Sequence, residues 1–324
     1  MNETVLPSVK ASASVPTSAP GVYADLGDLV RLRFKTSGIS LLPRQQANSV
    51  LSGRHASRLR GRGLNFEEIR RYLPGDDIRQ MDWKVTARTK RPHVRVYTEE
   101  RGRDVLLVVD QRLGMFFGSR TNFKSVTAAE VAALAAWRVI ASKDRIAAVV
   151  FGDADLTVVP GGGSVGQAMR ILGAIIEMNH ALGIDRGIVP GATMLNAALG
   201  RAERLVKHDA LVVVVSDGQG SDEETKGILS RIAAHNDVAV ALIHDPLEME
   251  LPDAGPRVFG SGNLQLEVDT SAAALRRDFQ EEFQERLVRA KRFLIQREVP
   301  LFPIRTDEDV ARQIRRLLGQ RVRQ

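Results

Sequence analysis

The chain has 324 residues, 44% of them apolar and 26% charged, and it carries a formal net charge of +7. This composition is typical of a globular protein with a buried core, and the length suits one large domain or two modest ones. The sequence contains no cysteine, which excludes disulfides, thiolate nucleophiles and cysteine zinc sites and fits a protein of the reducing cytoplasm.

The first part of the chain predicts a disordered lead-in followed by a small basic α+β module. Residues 1–21 are rich in Ser, Ala, Pro and Thr, a composition typical of disorder. Residues 54–103 hold 14 Arg or Lys and 7 Asp or Glu, a surplus of 7 that equals the net charge of the whole chain. We assign the module to residues 22–103, with helices over 23–35 and 76–89, strands over 64–72 and 92–98, and an exposed loop over 54–63.

From residue 104 onward, apolar strands alternate with helices. Strands are predicted over 105–109, 144–151, 210–215 and 238–244, and helices over 127–141, 165–179, 193–207 and 223–235. This alternation predicts an α/β fold with a doubly wound, mostly parallel sheet over residues 104–270. Residues 271–324 predict a helical extension that packs on this domain, with helices over 271–298 and 307–318 and a short strand over 300–304. The apolar runs are all far shorter than the ~20 residues that a membrane-spanning helix needs.

Three loops of the predicted sheet carry residues that suit a functional site. Asp110-Gln111-Arg112-Leu113-Gly114 and Ser216-Asp217-Gly218 each follow a buried strand, and Gly191-Ala192-Thr193 opens a helix. Sites in doubly wound sheets form outside the carboxyl ends of the strands. We therefore expect these three loops to lie together at one edge of the sheet.

A long and unusual motif connects the sequence to a known family. The stretch from Arg71 to Trp83 reads Arg-Tyr-Leu-Pro-Gly-Asp-Asp-Ile-Arg-Gln-Met-Asp-Trp and continues to Thr86-Ala87-Arg88-Thr89. Further matches are Glu99-Glu100-Arg101, Phe151-Gly152-Asp153 and Asp245-Pro246-Leu247-Glu248. Over roughly residues 64–253 the chain resembles the family called domain of unknown function 58, whose members carry a von Willebrand factor A-like, Rossmann-like domain.

The resemblance implies a metal site whose pattern this sequence only partly keeps. In von Willebrand factor A-like domains, an Asp and two Ser of the first loop, a Thr of the second and an Asp of the third offer the oxygen ligands that suit Mg²⁺. The resemblance assigns these roles to Asp110, Thr193 and Asp217, whereas Arg112 and Gly114 stand at the two serine positions. A guanidinium has no lone pair to donate and repels a divalent cation. We therefore expect a degenerate site without a cofactor, with Mg²⁺ binding as the alternative.

Two interpretations of Arg112 follow from its position in the first loop. Its side chain either replaces the metal by bridging Asp110 and Asp217 in charge-assisted contacts, or points into solvent. If it replaces the metal, the change Arg112→Ala should destabilise the fold, and added Mg²⁺ should restore part of the loss.

The family motif in the module offers candidate partner-binding residues, which are Arg71, Asp76, Asp77, Asp82, Trp83 and Arg88. Paired carboxylates can perform acid–base chemistry, but no nucleophile or metal-ligand cluster accompanies them. Structural roles are the simpler interpretation, with Asp77 as a helix cap and Asp82 paired with Arg88. For Trp83 and Tyr72 we expect core packing.

A segment before the first long helix resembles a phosphate-binding loop. Residues 118–125 read Gly-Ser-Arg-Thr-Asn-Phe-Lys-Ser, in which Phe123 occupies the place of the second glycine. Phenylalanine lacks the conformational freedom and small size that let backbone amides wrap phosphates. This difference argues against ATP binding.

We interpret the chain as a non-enzymatic protein-interaction module. The resemblance implies partnership with a MoxR-type AAA+ ATPase in the assembly or activation of another complex, and a basic module could dock on an acidic subunit surface. The alternative is binding of nucleic acid or an anionic surface through residues 54–103, although few aromatic residues are interleaved with the basic ones there. A small-molecule substrate is not expected, because the sequence offers no nucleophile elbow or cofactor loop.

Overall fold

The computed structural model describes residues 20–37, 64–99, 103–261 and 264–319. The chain divides into two compact units: residues 44–103, which we call the module, and residues 1–43 with 104–324, which we call the α/β unit. The predicted disordered segment 1–21 lies almost entirely outside the described residues, and the predicted loop over 54–63 lies wholly outside them.

A short helix near the N-terminus, α1 (Leu26–Arg31), continues as a 3-10 helical turn over Leu32–Lys35. Leu29 is buried, and its carbonyl accepts a hydrogen bond of 2.9 Å from the indole N–H of Trp137. The helix predicted over 23–35 is therefore present. However, it packs on the α/β unit, which corrects its assignment to the basic module.

The module is a two-stranded antiparallel sheet with a helix between its strands, formed by β1 (Leu64–Arg71), α2 (Trp83–Thr89) and β2 (His93–Glu99). Both predicted strands are confirmed. The helix predicted over 76–89 is wrong in its first half, where Ile78–Gln80 forms only a 3-10 turn. Met81 is extended and forms a β-bridge with Val94, and Asp82 then caps α2. Pairing with β2 thus interrupts the helical pattern.

The α/β unit alternates strands and helices along the chain. Its strands are β3 (Asp104–Asp110), β4 (Arg145–Phe151), β5 (Leu156–Gly162), β6 (Leu211–Ser216), β7 (Asp237–His244), β8 (Pro256–Ser261), β9 (Leu264–Asp269) and β10 (Leu301–Arg305). Its helices after α1 are α3 (Lys124–Ala141), α4 (Val165–Ala181), α5 (Met194–Leu205), α6 (Glu223–Ala233), α7 (Pro246–Met249), α8 (Ala273–Gln296) and α9 (Val310–Leu317). None of the described helices is both long and apolar enough to cross a membrane.

The main sheet has six strands in the order β10-β7-β6-β3-β4-β5. All neighbours are parallel except β5, which runs antiparallel to β4 at one edge. The predicted α/β fold with a mostly parallel sheet is therefore confirmed. The short strand predicted over 300–304 is β10, so the C-terminal extension contributes an edge of the sheet as well as helices. β8 and β9 form a separate antiparallel hairpin.

Side chains that alternate along the strands supply two hydrophobic cores. In β3, Leu107 and Val109 pack in a cluster with residues of α3 and α4, whereas Leu106 and Val108 pack in a cluster with residues of α5 and α6. Successive side chains of a strand point to opposite faces, so a continuous apolar run fits a strand that is covered on both sides. Because β3, β4, β6 and β7 run parallel to one another, their carboxyl ends lie along one edge of the sheet.

Candidate functional site

The three predicted loops meet at the carboxyl ends of β3 and β6. Asp153, just after β4, joins two of them, because its carboxylate accepts hydrogen bonds from the Leu113 N–H at 2.5 Å and the Gly191 N–H at 2.9 Å. The third loop approaches the second closely: a Cβ atom on Gly220 would lie 2.9 Å from the carbonyl oxygen of Ala192. Gly220 also has a φ of +80°, a conformation that favours glycine. Asp153 is thus a central residue of the site that the sequence analysis did not include.

Asp110 and Arg112 form a buried ion pair at the centre of the site. The Asp110 side chain is fully buried, and 7% of the Arg112 side chain is exposed. The guanidinium donates from Nε to Asp110 Oδ1 at 3.0 Å and from Nη2 to Oδ2 at 2.6 Å. The backbone N–H of Arg112 and the hydroxyl of Ser216 donate to the same carboxylate at 3.0 and 2.6 Å. Asp110 therefore has the hydrogen bonds that a buried carboxylate needs to be tolerated.

Arg112 also reaches the loop after β6. Its Nη2 donates to the carbonyl oxygen of Gln219 at 3.0 Å and lies 3.9 Å from Oδ1 of Asp217. Its guanidinium carbon lies 5.4 Å from the centre of the Phe151 ring, within the range of a cation–π contact. The side chain thus lies between Asp110 and Asp217 and not in solvent.

Lys124, the first residue of α3, provides a second buried cation that the sequence analysis missed. Only 4% of its side chain is exposed, and its ammonium lies 2.7 Å from Oδ2 of Asp217 and 2.7 Å from Oε1 of Glu248. Asp217 consequently has a cation on each side. Lys124 also stands at the lysine position of the segment that resembles a phosphate-binding loop, and here two carboxylates occupy its ammonium.

Neighbouring charges outweigh burial for three of the four groups in this network. Burial acts to lower the pKa of Arg112 and of Lys124, but the adjacent carboxylates raise both above their ordinary values. Burial acts to raise the pKa of Asp217, but Lys124 holds it below its ordinary value. For Asp110, burial is the largest influence and raises the pKa of the carboxyl, against the hydrogen bonds from Arg112 and Ser216. Both cations and Asp217 are therefore charged at neutral pH.

The donor set does not fit a divalent metal ion. The Arg112 guanidinium binds the Asp110 carboxylate, and the Lys124 ammonium binds Asp217. Thr193 is exposed at the start of α5, where its side chain makes no capping hydrogen bond. Within the described parts of the chain, His, Asp and Glu residues form no group of three or more that could hold a metal ion. The two aspartates that the resemblance assigns to Mg²⁺ are instead neutralised by cations of the protein itself.

A cleft of about 1040 Å³ opens beside these ion pairs. We call it the strand-end cleft. Its lining includes the charged residues Arg112, Lys124, Asp153, Asp217 and Glu248 and the apolar residues Phe117, Ile184, Val189, Leu247 and Leu251. Ile184 and Val189 are 76% and 80% exposed. Exposed apolar side chains that lie together are typical of an interaction site.

In the module, the acidic residues of the family motif have structural roles. Asp76 binds the guanidinium of Arg70 through both carboxylate oxygens, at 2.7 and 2.8 Å. Asp82 caps α2 and binds Arg95 of β2 at 2.8 Å, where the sequence analysis expected Arg88 as its partner. The register of the β1–β2 sheet brings Arg95 to Asp82, and helical spacing could not indicate this.

The other candidate residues of the module lie at its surface. Asp77 caps the 3-10 turn by accepting a hydrogen bond from the Arg79 N–H at 3.0 Å, as a capping role predicts. Arg71 and Arg88 are exposed. Trp83 is 67% exposed, so the expected core packing of this residue is wrong. It is the first residue of α2, directly after the cap at Asp82.

Comparison with known proteins gives a family and three curated relatives that are described as uncharacterized. The chain matches the family described as protein of unknown function DUF58 over residues 68–289. It is 32% identical over 286 residues to the uncharacterized protein Rv1480 of Mycobacterium tuberculosis and, equally, to the uncharacterized protein Mb1516 of Mycobacterium bovis. These alignments cover 88% of this chain and 88% of each relative.

The chain is also similar to solved structures at low sequence identity. They include the conserved hypothetical protein BatB from Bacteroides thetaiotaomicron, with 13% identity, a TM-score of 0.38, and coverage of 68% of this chain and 100% of that one. The von Willebrand factor A domain of SpRpn10 has 15% identity and a TM-score of 0.33, with coverage of 69% and 100%. The family match over residues 68–289 and the 32% identity to the curated relatives show that this chain belongs to the DUF58 family.

Proposed function

We propose that this chain is a non-enzymatic protein-interaction module that binds its partner at the strand-end cleft without using a metal ion. The proposal rests on one observation: both aspartates at this edge of the sheet are paired with cationic side chains of the protein. Arg112 binds Asp110, and Lys124 binds Asp217. These carboxylates stand where the resemblance places the metal that receives the partner in von Willebrand factor A-like domains.

The ion network favours a preformed docking surface over a catalytic centre. Arg112 connects the first loop to the third through Asp110 and Gln219, and Lys124 connects α3 to the third loop and to α7. A surface whose loops are already held in place loses less conformational entropy on binding. General acid–base catalysis needs a group that is available to exchange a proton, whereas each of these charged groups is engaged by an opposite charge.

The apolar rim of the cleft supplies a source of binding energy. Ile184 and Val189 are largely exposed, and Phe117 is 37% exposed. Burying apolar area contributes roughly 25 cal/mol per Å², so covering these side chains with a partner would stabilise the complex. These residues favour a protein surface as the partner.

For the partner we propose a MoxR-type AAA+ ATPase. This choice rests on the family resemblance, and the apolar rim is compatible with it because protein interfaces combine an apolar core with polar contacts. The role we propose is that of an adaptor in the assembly or activation of another complex.

The test is a calorimetric titration of the purified chain with the MoxR-type AAA+ ATPase of its own host, in the presence of EDTA. We expect binding that persists without divalent cations and that weakens about tenfold or more in Val189→Asp and Ile184→Asp. Each change places a charge in the apolar rim, and each site is so exposed that the fold should tolerate it.

The matched control is Ile295→Asp on α8, which changes an exposed side chain, 71% accessible, that is not part of the cleft lining. The proposal is wrong if the ATPase does not bind, or if the rim variants bind as tightly as the control. If binding of the partner required Mg²⁺ bound to this chain, the metal-free part of the proposal would be wrong.

A further inference from the structure

The stretch from Leu73 to Trp83, which connects β1 to the first residue of α2, exposes three large apolar side chains. Leu73, Ile78 and Trp83 are 58%, 60% and 67% accessible. We call Leu73, Ile78 and Trp83, together with Arg79, Lys84 and Arg88, the module platform. Single exposed apolar residues are ordinary, but three within one short connection, including a tryptophan, are typical of a contact surface.

The platform is anchored by the acidic residues of the same motif. Asp76 binds Arg70 through both oxygens and also accepts a hydrogen bond from the Leu73 N–H at 2.8 Å. Asp82 caps α2 and binds Arg95 of the neighbouring strand at 2.8 Å. These contacts fix both ends of the connection, so the apolar side chains are displayed from a backbone that is already ordered.

The basic residues of the platform remain without acidic partners within the described residues. Arg79, Lys84 and Arg88 are exposed, and no ion pair among the described residues includes any of them. Asp76 and Asp82 are engaged by Arg70 and Arg95, and the half-buried Asp77 accepts a hydrogen bond from the Arg79 N–H at 3.0 Å. Two of the three carboxylates of the motif are therefore paired with arginines, and Arg79, Lys84 and Arg88 place positive charges beside the exposed apolar side chains.

This combination fits an acidic protein segment better than nucleic acid or lipid. Bases bind by stacking on aromatic side chains, and Trp83 is the only aromatic residue of the platform, whose other apolar members are aliphatic. Helices that lie in a membrane interface present a long apolar face, whereas α2 has only 7 residues. A segment with Glu or Asp between apolar side chains matches both properties of the platform, since opposite charges set the orientation and apolar contacts add affinity.

We propose that the module platform is a second docking surface, separate from the strand-end cleft, and that it binds an acidic protein segment carrying apolar side chains. The test uses the full chain and short synthetic peptides in which Glu alternates with Leu or Phe, titrated by calorimetry. Binding should weaken as salt is raised and should fall about tenfold or more in Trp83→Ser and in the triple variant Arg79→Glu/Lys84→Glu/Arg88→Glu. Peptides with Gln in place of Glu should bind correspondingly weakly.

The matched control is the triple variant Arg201→Glu/Arg204→Glu/Lys207→Glu, which reverses three exposed charges on and just after α5. It should bind the acidic peptides like the original chain, and so should Val189→Asp, which separates this test from that of the strand-end cleft. Thermal melting of each variant checks that the module remains folded.

Three outcomes would overturn the proposal. The proposal is wrong if the acidic peptides bind none of the proteins, or if they bind the platform variants as well as the control. It is also wrong if the peptides do not bind while single-stranded DNA or phosphatidylglycerol vesicles bind through the same residues. The last outcome would assign the platform to nucleic acid or to lipid.

Discussion

The ion pair of Arg112 and Asp110 makes the strongest prediction at the scale of single residues. Both side chains are almost completely buried, so removing one leaves an uncompensated charge in the interior. Breaking a buried pair in this way typically costs about 3–5 kcal/mol of stability. We expect Arg112→Ala to lower the free energy of unfolding by about this amount in urea denaturation, whereas Arg204→Ala, at an exposed site, should change it by less than about 0.5 kcal/mol.

Addition of Mg²⁺ to the same variant tests whether Arg112 replaces a metal. In the original chain Asp110 and Asp217 are each paired with a cation of the protein, so Mg²⁺ should not bind between them and should leave the melting temperature unchanged at constant ionic strength. In Arg112→Ala, Asp110 loses its guanidinium partner, and a ligand that binds only the folded state raises its stability. An equal response of both proteins to Mg²⁺, or a response that Na⁺ reproduces, would speak against replacement.

The sequence predicted part of this site, and the missing part has a physical reason. The loop positions of Asp110 and Asp217 and the unusual Arg112 could be identified, but the orientation of Arg112 depends on burial by Phe151 and Gln219. The role of Lys124 could not be predicted from a pattern of metal ligands, because such a pattern consists of oxygen and nitrogen donors and does not include cations. The helix was predicted to begin at residue 127, so the sequence did not show that Lys124 lies in the first turn of α3, where the helix dipole disfavours a lysine unless anionic groups lie close to it.

At the scale of secondary-structure elements, Glu130 on α3 makes stability depend on pH. Burial, followed by the charge of Asp309, raises the pKa of its carboxyl from 4.5 to about 7, against the hydrogen bond from Asn122 and the charge of Lys35. A folded pKa above the unfolded one gives a contribution that is complete below pH 4.5 and is lost as the pH rises through about 7. The free energy of unfolding should therefore contain a component that falls over this range.

The variant Glu130→Gln isolates that component, because glutamine cannot titrate. Urea denaturation at several pH values should show a smaller fall between pH 4.5 and 7 in the variant than in the original chain. Glu203→Gln is the control, since the pKa of Glu203 is lowered by its hydrogen bond from Arg231 and its contribution has the opposite sign. Identical pH profiles for the original chain and Glu130→Gln would rule out this role for Glu130.

The elements that the sequence failed to predict lie at edges and in pairings between distant segments. β5 contains Pro160 and ends in Gly161-Gly162, which read as turn signals, yet an edge strand tolerates both residues. The hairpin of β8 and β9 has no helix between its strands, so the alternation of strands and helices in the sequence does not predict it. The division of the helix predicted over 76–89 depends on the bridge between Met81 and Val94. By contrast, the buried parallel strands were predicted because each contains a continuous apolar run.

At the scale of the whole molecule, the two proposed surfaces belong to different compact units. The strand-end cleft lies in the α/β unit, and the module platform lies in the module. The family motif between Arg71 and Trp83 belongs to the module, whereas Asp110, Arg112 and Asp217 belong to the α/β unit. Two surfaces of one chain increase the overall affinity when both engage the same assembly, which is compatible with an adaptor.

The division into two units predicts that the module can be removed without unfolding the remainder. Both clusters of the main core are formed entirely by residues outside 44–103, so a chain in which a flexible linker joins Pro43 to Asp104 should keep its α/β unit. Cooperative thermal melting and a near-ultraviolet signal from Trp137 would show this.

A chain that begins at Asp104 is the informative comparison. This chain lacks the buried residues Ala24 and Leu29, which form hydrogen bonds with the side chains of Asn179 and Trp137. It should therefore melt at a lower temperature. Equal melting temperatures would mean that the N-terminal segment does not stabilise this unit, and loss of folding on excision of the module would mean that the two units are not independent.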